Sequence, residues 1–143
     1  MDGYSWVANL DYRTQMELCG DNGTPNKALH ALFVGMGDDL DSTLSQRIVR
    51  HPNVAAETLR GILTHPHSQG WTLFHAAARP ELPRDFLEEL ARADFGNVHR
   101  AHWMWEGLMN NPNIPEDLKE EVRQKREMQY VVPRLRSNAR IFG

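Results

Sequence analysis

Seven histidines, one cysteine and a run of aspartates are the side chains of this 143-residue chain with the most obvious chemistry. His99, His102 and Glu106 fall at i, i+3 and i+7, on one face of a helix. With a histidine from the segment that holds His65, His67 and His75, they would make a zinc-type ligand set and a metal-dependent hydrolase. The spacing argues against it. There is no H-E-x-x-H, and no cysteine lies near the histidines to complete a site. His51 and His65 each precede a proline where a helix should end, a place where histidine meets terminal carbonyls. No metal and no cofactor are expected.

The other reactive groups fit structural roles. "GDDLDST" lacks the glycine and glutamate that a calcium loop needs at its sixth and twelfth positions, which hold Thr43 and Val49 counting from Asp38. It reads as a turn with Asp41 or Ser42 capping the next helix. Cys19 shares the register of Val49, Ala77 and Met109, so it reads as a buried apolar thiol, and a single cysteine allows no disulfide within one chain. No G-x-S-x-G and no phosphate-binding glycine loop is present. The chain is expected to do no catalysis.

Tryptophan spacing is more informative. Trp71 lies nine residues before Pro80 and Trp103 nine before Pro112, whereas the matching places upstream hold Arg13 and Thr43. A fold that accepts arginine and threonine there does not itself require an aromatic. Trp105 shares an apolar stripe with Met104, Leu108 and Met109 and is expected in the core, with Trp103 pointing away from it. An alternative is that Trp71 and Trp103 staple the starts of their helices to the neighbouring unit.

Those positions belong to a repeat. "HPNVAAETLRGIL", "RPELPRDFLEEL" and "NPNIPEDLKEEV" begin at His51, Arg79 and Asn111, and "NGTPNKALHAL" is a degenerate first copy. Anchored on Asn22, Pro52, Pro80 and Pro112, the copies lie 30, 28 and 32 residues apart. Pro25, Pro83 and Pro115 suit the first position of a helix, where a missing N–H costs nothing. Apolar residues six or seven and then ten places after each anchor give that helix one buried face. A second helical stretch precedes each anchor, with apolar residues three and four places before it. Nothing alternates with the period of a strand. Each unit is a helix, a proline turn and a helix, and such units bury their apolar faces only by stacking.

The pattern N-P-N-x-P-x-x-[LV]-[LV]-x-x-L in 111–122 resembles the leucine-rich repeat variant family of short helical repeats, and more loosely HEAT repeats. The resemblance spans roughly residues 14–126. It implies an all-α, right-handed solenoid of about four helix–turn–helix repeats and a role in binding other proteins. It offers no catalytic residues to carry over, and with Cys19 alone the chain cannot hold the iron–sulfur domain of some family members. The expected organisation is a capping helix in 1–20, repeats in 21–128 and a tail in 129–143.

Charge narrows the partner class. Residues 1–118 carry 9 basic and 16 acidic side chains, whereas 119–143 carry 7 basic and 3 acidic. The acidic body disfavours nucleic acid, and an association of a HEAT-like protein with nucleic acid through the basic tail is the alternative. In the tail, Tyr130, Arg134, Arg136, Arg140 and Phe142 read as a segment that folds back on the body or docks on a partner or a second copy. No apolar run reaches the roughly 20 residues of a membrane span, and the N-terminus lacks a secretory pattern, so a cytoplasmic location is expected, in the producing cell or an infected host. The partner is expected to be a protein, met by the ridge of first-helix positions that avoid the core stripe: Trp71, His75, Arg79, Trp103, Gly107 and Asn110 or Asn111.

Overall fold

In the computed structural model, which describes residues 3–95 and 97–128, helices start at a nearly fixed interval. A 3-10 turn at Ser5–Asn9 precedes α1 (Tyr12–Gly20), α2 (Asn26–Met36), α3 (Ser42–Arg50), α4 (Ala56–Thr64), α5 (Gly70–Ala77), α6 (Arg84–Arg92), α7 (Val98–Met109) and α8 (Glu116–Met128). The described residues are all-helical, with no strand. From α3 to α7 each helix begins 14 residues after the last. The underlying module is thus one short helix and one turn, half the unit suggested by the proline copies.

One turn design recurs at five of the seven connections between helices. At 21–24, 51–54, 65–68, 79–82 and 111–114, the first carbonyl accepts a hydrogen bond from the fourth N–H at 3.1–3.4 Å. The fourth residue (Thr24, Val54, Ser68, Leu82 or Ile114) is buried. Where it is apolar it enters the core. The two hydroxyl residues instead donate back to the preceding helix, Thr24 to Leu18 O and Ser68 to Ile62 O. Pro25 and Pro83 then stand at the N-cap, one place before the first helical residue; their extended ψ near 155° cannot begin a helix. Pro115 likewise immediately precedes α8 and accepts from Lys119 N. Of the two cap candidates before α3, Asp41 is the cap, accepting from Leu44 N at 2.8 Å.

From α3 to α6 each helix buries two residues per turn: Leu44, Ser45, Ile48 and Val49 on α3, and Phe86, Leu87, Leu90 and Ala91 on α6. Such a wide stripe suits a helix with neighbours on more than one side. α1 packs on α3, α3 on α5 and α5 on α7, while α2 packs on α4 and α6 on α8. The 3-10 turn lies against α2, where a Cβ on Gly35 would stand 2.4 Å from Ala8 Cβ. Glycine is needed there for that close approach.

Polar side chains stitch one turn to the next. His51 Nε2 donates to Asp21 O (2.7 Å) while its Nδ1 accepts from Asn53 N (3.0 Å). Carbonyl and N–H together fix the neutral tautomer with the proton on Nε2. Asn53 Nδ2 donates to Asn22 O and Thr24 O. Asn111 does the same work with an amide: Nδ2 donates to Ala77 O and Arg79 O, and Oδ1 accepts from Asn113 N, all at 2.8 Å. On the opposite set of turns, His65 Nε2 donates to Gly37 O and Arg100 Nη2 donates to Leu63 O and His65 O. The histidines beside prolines do meet carbonyls, but those of the preceding turn rather than of their own helix.

Candidate functional site

The odd-numbered helices keep a common register. Counting back eight, five, four and one places from Asp21, His51, Arg79 and Asn111 gives the equivalent positions beside the buried stripe, all of them at least partly exposed on α3 and α5 and all but Gly107 on α7. On α3 these are Thr43, Gln46, Arg47 and Arg50; on α5 they are Trp71, Phe74, His75 and Ala78; on α7 they are Trp103, Glu106, Gly107 and Asn110.

The aromatic part bridges α5 and α7. Trp71 remains 48% exposed, yet it is held on several sides. It stacks on Phe74 (centroids 5.7 Å, planes 12° apart) and stands edge-on to His75 (4.8 Å) and Trp103 (5.6 Å, 83°). Phe74 meets Trp103 at 6.3 Å, and His102 meets it at 5.4 Å. Edge-to-face and offset stacking of this kind contribute about 0.5–1.5 kcal/mol per pair and fix the ring orientations. Two glycines permit the arrangement. A Cβ on Gly70 would fall 2.2 Å from Trp103 Cδ1, and one on Gly107 would fall 2.6 Å from Phe74 O and 2.7 Å from Ala77 Cβ. The first lets the indole lie over the start of α5; the second lets α7 approach the α5 backbone.

The expected ridge residues divide into two groups. Trp71, His75 and Trp103 come together. Trp103 is only partly exposed and packs against the core, so it both staples α7 to α5 and borders the surface; it does not point clear of the interior as expected. Asn110 is exposed, caps α7 and donates to Glu106 O. Arg79 is held bidentately by Glu81, at 3.0 and 2.7 Å. Gly107 is buried against α5, and Asn111 is 3% exposed with its amide spent on the turn; neither lies on the surface. Trp105 is partly rather than fully buried, and its enclosed indole N–H has no acceptor among the described residues. Tyr130, Arg134, Arg136, Arg140 and Phe142 lie outside the described residues.

Burial sets the electrostatics here. It pushes the His75 imidazole below its ordinary pKa, with the Arg50 charge adding to the effect. His75 Nε2 is enclosed and has no hydrogen-bond partner among the described residues. Burial raises the Cys19 thiol to about 11, opposed by Arg47 and reinforced by Asp41. That thiol is protonated at neutral pH and makes a poor nucleophile. Arg47 and Arg50 are exposed beside a cleft of about 490 Å³ between α1 and α3, floored by Cys19 and Gly20.

Among the described residues no three His, Cys, Asp or Glu side chains converge to hold a metal ion. Of the proposed ligands, Glu106 is paired with Arg126 at 2.9 Å and His99 is exposed. No described helix is long and apolar enough to cross a membrane.

No protein-family model, curated protein or solved structure matches the chain.

Sequence spacing paired Trp71 with Trp103 but did not place Phe74, Arg47 and Arg50 in the same register. Phe74, Gln46 and Glu106 share one place, Arg47 and His75 another, and Arg50, Ala78 and Asn110 a third.

Proposed function

We propose that this chain is a helical-repeat protein whose odd-numbered helices present a protein-binding ridge, and that it acts without catalysis, metal or cofactor. The supporting observation is the cluster of Trp71, Phe74, His75 and Trp103 across two helices, with Trp71 half exposed at its centre. A rigid, partly exposed tryptophan loses little entropy on binding, and tryptophan is enriched among the residues that anchor interfaces. The recurring turn and the series of contacts α1–α3–α5–α7 support a solenoid of the leucine-rich-repeat-variant or HEAT type, in which surface positions align from unit to unit. Such a stack suits an adaptor, an inhibitor of a host protein or a subunit of an assembly, acting in the cytoplasm. Self-association through residues 129–143 belongs to the same reading.

The test is quantitative affinity capture from the native source, with wild-type protein and a Trp71→Ala variant of matched melting curve as baits. A partner retained by wild type and depleted from the variant supports the ridge. Partners recovered equally by both baits count against it. Nucleic acid recovered in place of protein, and lost on deleting 129–143, would favour the tail-mediated alternative.

A further inference from the structure

Arg47 and Arg50 differ from every other described arginine. Arg13, Arg79, Arg84, Arg92, Arg123 and Arg126 each face a glutamate within 4.0 Å. Arg60 lies over the Phe86 ring, 4.7 Å from its centroid, and Arg100 donates to two carbonyls. Arg47 and Arg50 make no ion pair or hydrogen bond among the described residues, although acids outnumber bases in residues 1–118. Their surroundings explain this. The ridge positions of α3 and α5 (Thr43, Gln46, Arg47, Arg50, Trp71, Phe74, His75 and Ala78) include no carboxylate. The carboxylates beside Arg47 on the α1 side are otherwise engaged: Glu17 pairs with Arg13, Asp21 accepts from Gly23 N and Asp41 accepts from Leu44 N. On the far side Glu106 pairs with Arg126. Arg47 Nη1 lies 3.9 Å from where a Cβ on Gly20 would stand, so the guanidinium reaches across to α1.

We infer that Arg47 and Arg50 are the anion-recognising half of the ridge, and that the partner binds through an acidic segment with an apolar or aromatic side chain a few residues away. This rests on the ridge being the binding surface. A planar guanidinium offers a carboxylate two parallel N–H groups, so two unpaired arginines suit one or two acids. The chain's own tail is a poor occupant, because residues 129–143 contain three arginines and no acid. A long nucleic acid is also disfavoured, since it must approach the whole acidic body, whereas a short acidic segment meets the two cations alone. Helix spacing sets the motif. Adjacent packed helices lie roughly 8–10 Å apart, and an extended chain advances about 3.3 Å per residue. Going from α3 to Trp71 on α5 therefore takes about three residues, and going on to Trp103 on α7 takes about six.

A phage-displayed library of random 16-residue peptides tests this, selected in parallel on wild type, Arg47→Gln/Arg50→Gln and Trp71→Ala, each checked for an unchanged melt. Wild type should enrich peptides with Asp or Glu three to six residues from an aromatic. The arginine variant should keep the aromatic preference and lose the acidic one. A synthetic peptide from the wild-type pool should bind that variant at least tenfold more weakly, with its salt dependence largely removed. Ridge-dependent peptides without acidic enrichment would overturn the arginine inference and leave the ridge standing. Recovery of no peptide that depends on Trp71 would overturn both. If a 16-nucleotide single strand binds more tightly than the peptides through Arg47 and Arg50, the acidic-segment inference falls to a nucleic-acid one.

Discussion

Replacing Asn111 by alanine removes three hydrogen bonds from one buried turn. Asn111 Nδ2 donates to Ala77 O and Arg79 O, and Oδ1 accepts from Asn113 N, each at 2.8 Å and on a residue 3% exposed. A hydrogen bond contributes a net of about 0.5–1.5 kcal/mol, and leaving a buried partner unpaired costs about 1–3 kcal/mol. Pro112 and Asn113 are exposed, so water can reach part of the vacated site. The expected loss is therefore about 2–4 kcal/mol, a fall in Tm on the order of 10 °C. Two companions sharpen the test. Asn111→Asp keeps the shape but points oxygen at two carbonyl oxygens, so it should cost more than alanine. Asn111→His should cost least, because His51 already presents a donor and an acceptor in the same place of its own turn, at 2.7 and 3.0 Å. Urea unfolding followed by far-UV circular dichroism measures all three. An alanine variant within about 0.5 kcal/mol of wild type, or an aspartate variant as stable as wild type, would refute the turn-to-turn stitching.

Gly107→Ala should destabilise by about 1–3 kcal/mol despite alanine's better helix propensity, because its Cβ meets α5 backbone at 2.6 Å; the same urea titration checks it. Cys19, with its thiol raised to about 11, should resist iodoacetamide in the native protein at pH 8 and react readily in urea, as read by mass spectrometry. His75 has its pKa lowered on folding, so the unfolded chain takes up that proton first. No stability is lost from this group well above its ordinary value of 6.5; the loss grows as pH falls through 6.5 towards the folded pKa and is constant below it. The stability of wild type relative to His75→Gln should accordingly decrease between pH 7.5 and 5.5 in thermal melts.

Helix type and the buried stripe were legible because proline, turn residues and apolar spacing are local signals. Ile48, Leu59, Leu87, Leu90, Leu118 and Val122 are buried where the spacing put them. The 14-residue module was hidden because 65–68 makes the common turn with "HPHS", in which Ser68 occupies the place held by Val54, Leu82 and Ile114. A hydroxyl bonded to Ile62 O and an apolar side chain fill the same space, but they do not look alike in a sequence. Asn111 was misplaced for a related reason. An asparagine after a helix reads as surface, and its burial follows from carbonyls 32 and 34 residues earlier. Trp71 and Trp103 could be paired from register alone, whereas the close approach that seats Trp103 depends on Gly70, 33 residues earlier in the chain, and needed coordinates.

The ridge is tested most directly by titrating a captured partner against three proteins with matched melting curves: wild type, Trp71→Ala and Val34→Asp. Val34 is 60% exposed on α2, in the other set of helices, and serves as the surface control. The ridge predicts that Trp71→Ala raises Kd by roughly thirtyfold or more, the equivalent of about 2 kcal/mol, while Val34→Asp leaves it unchanged. An unchanged Kd for Trp71→Ala with a large rise for Val34→Asp would contradict the account and move the binding surface to the even-numbered helices.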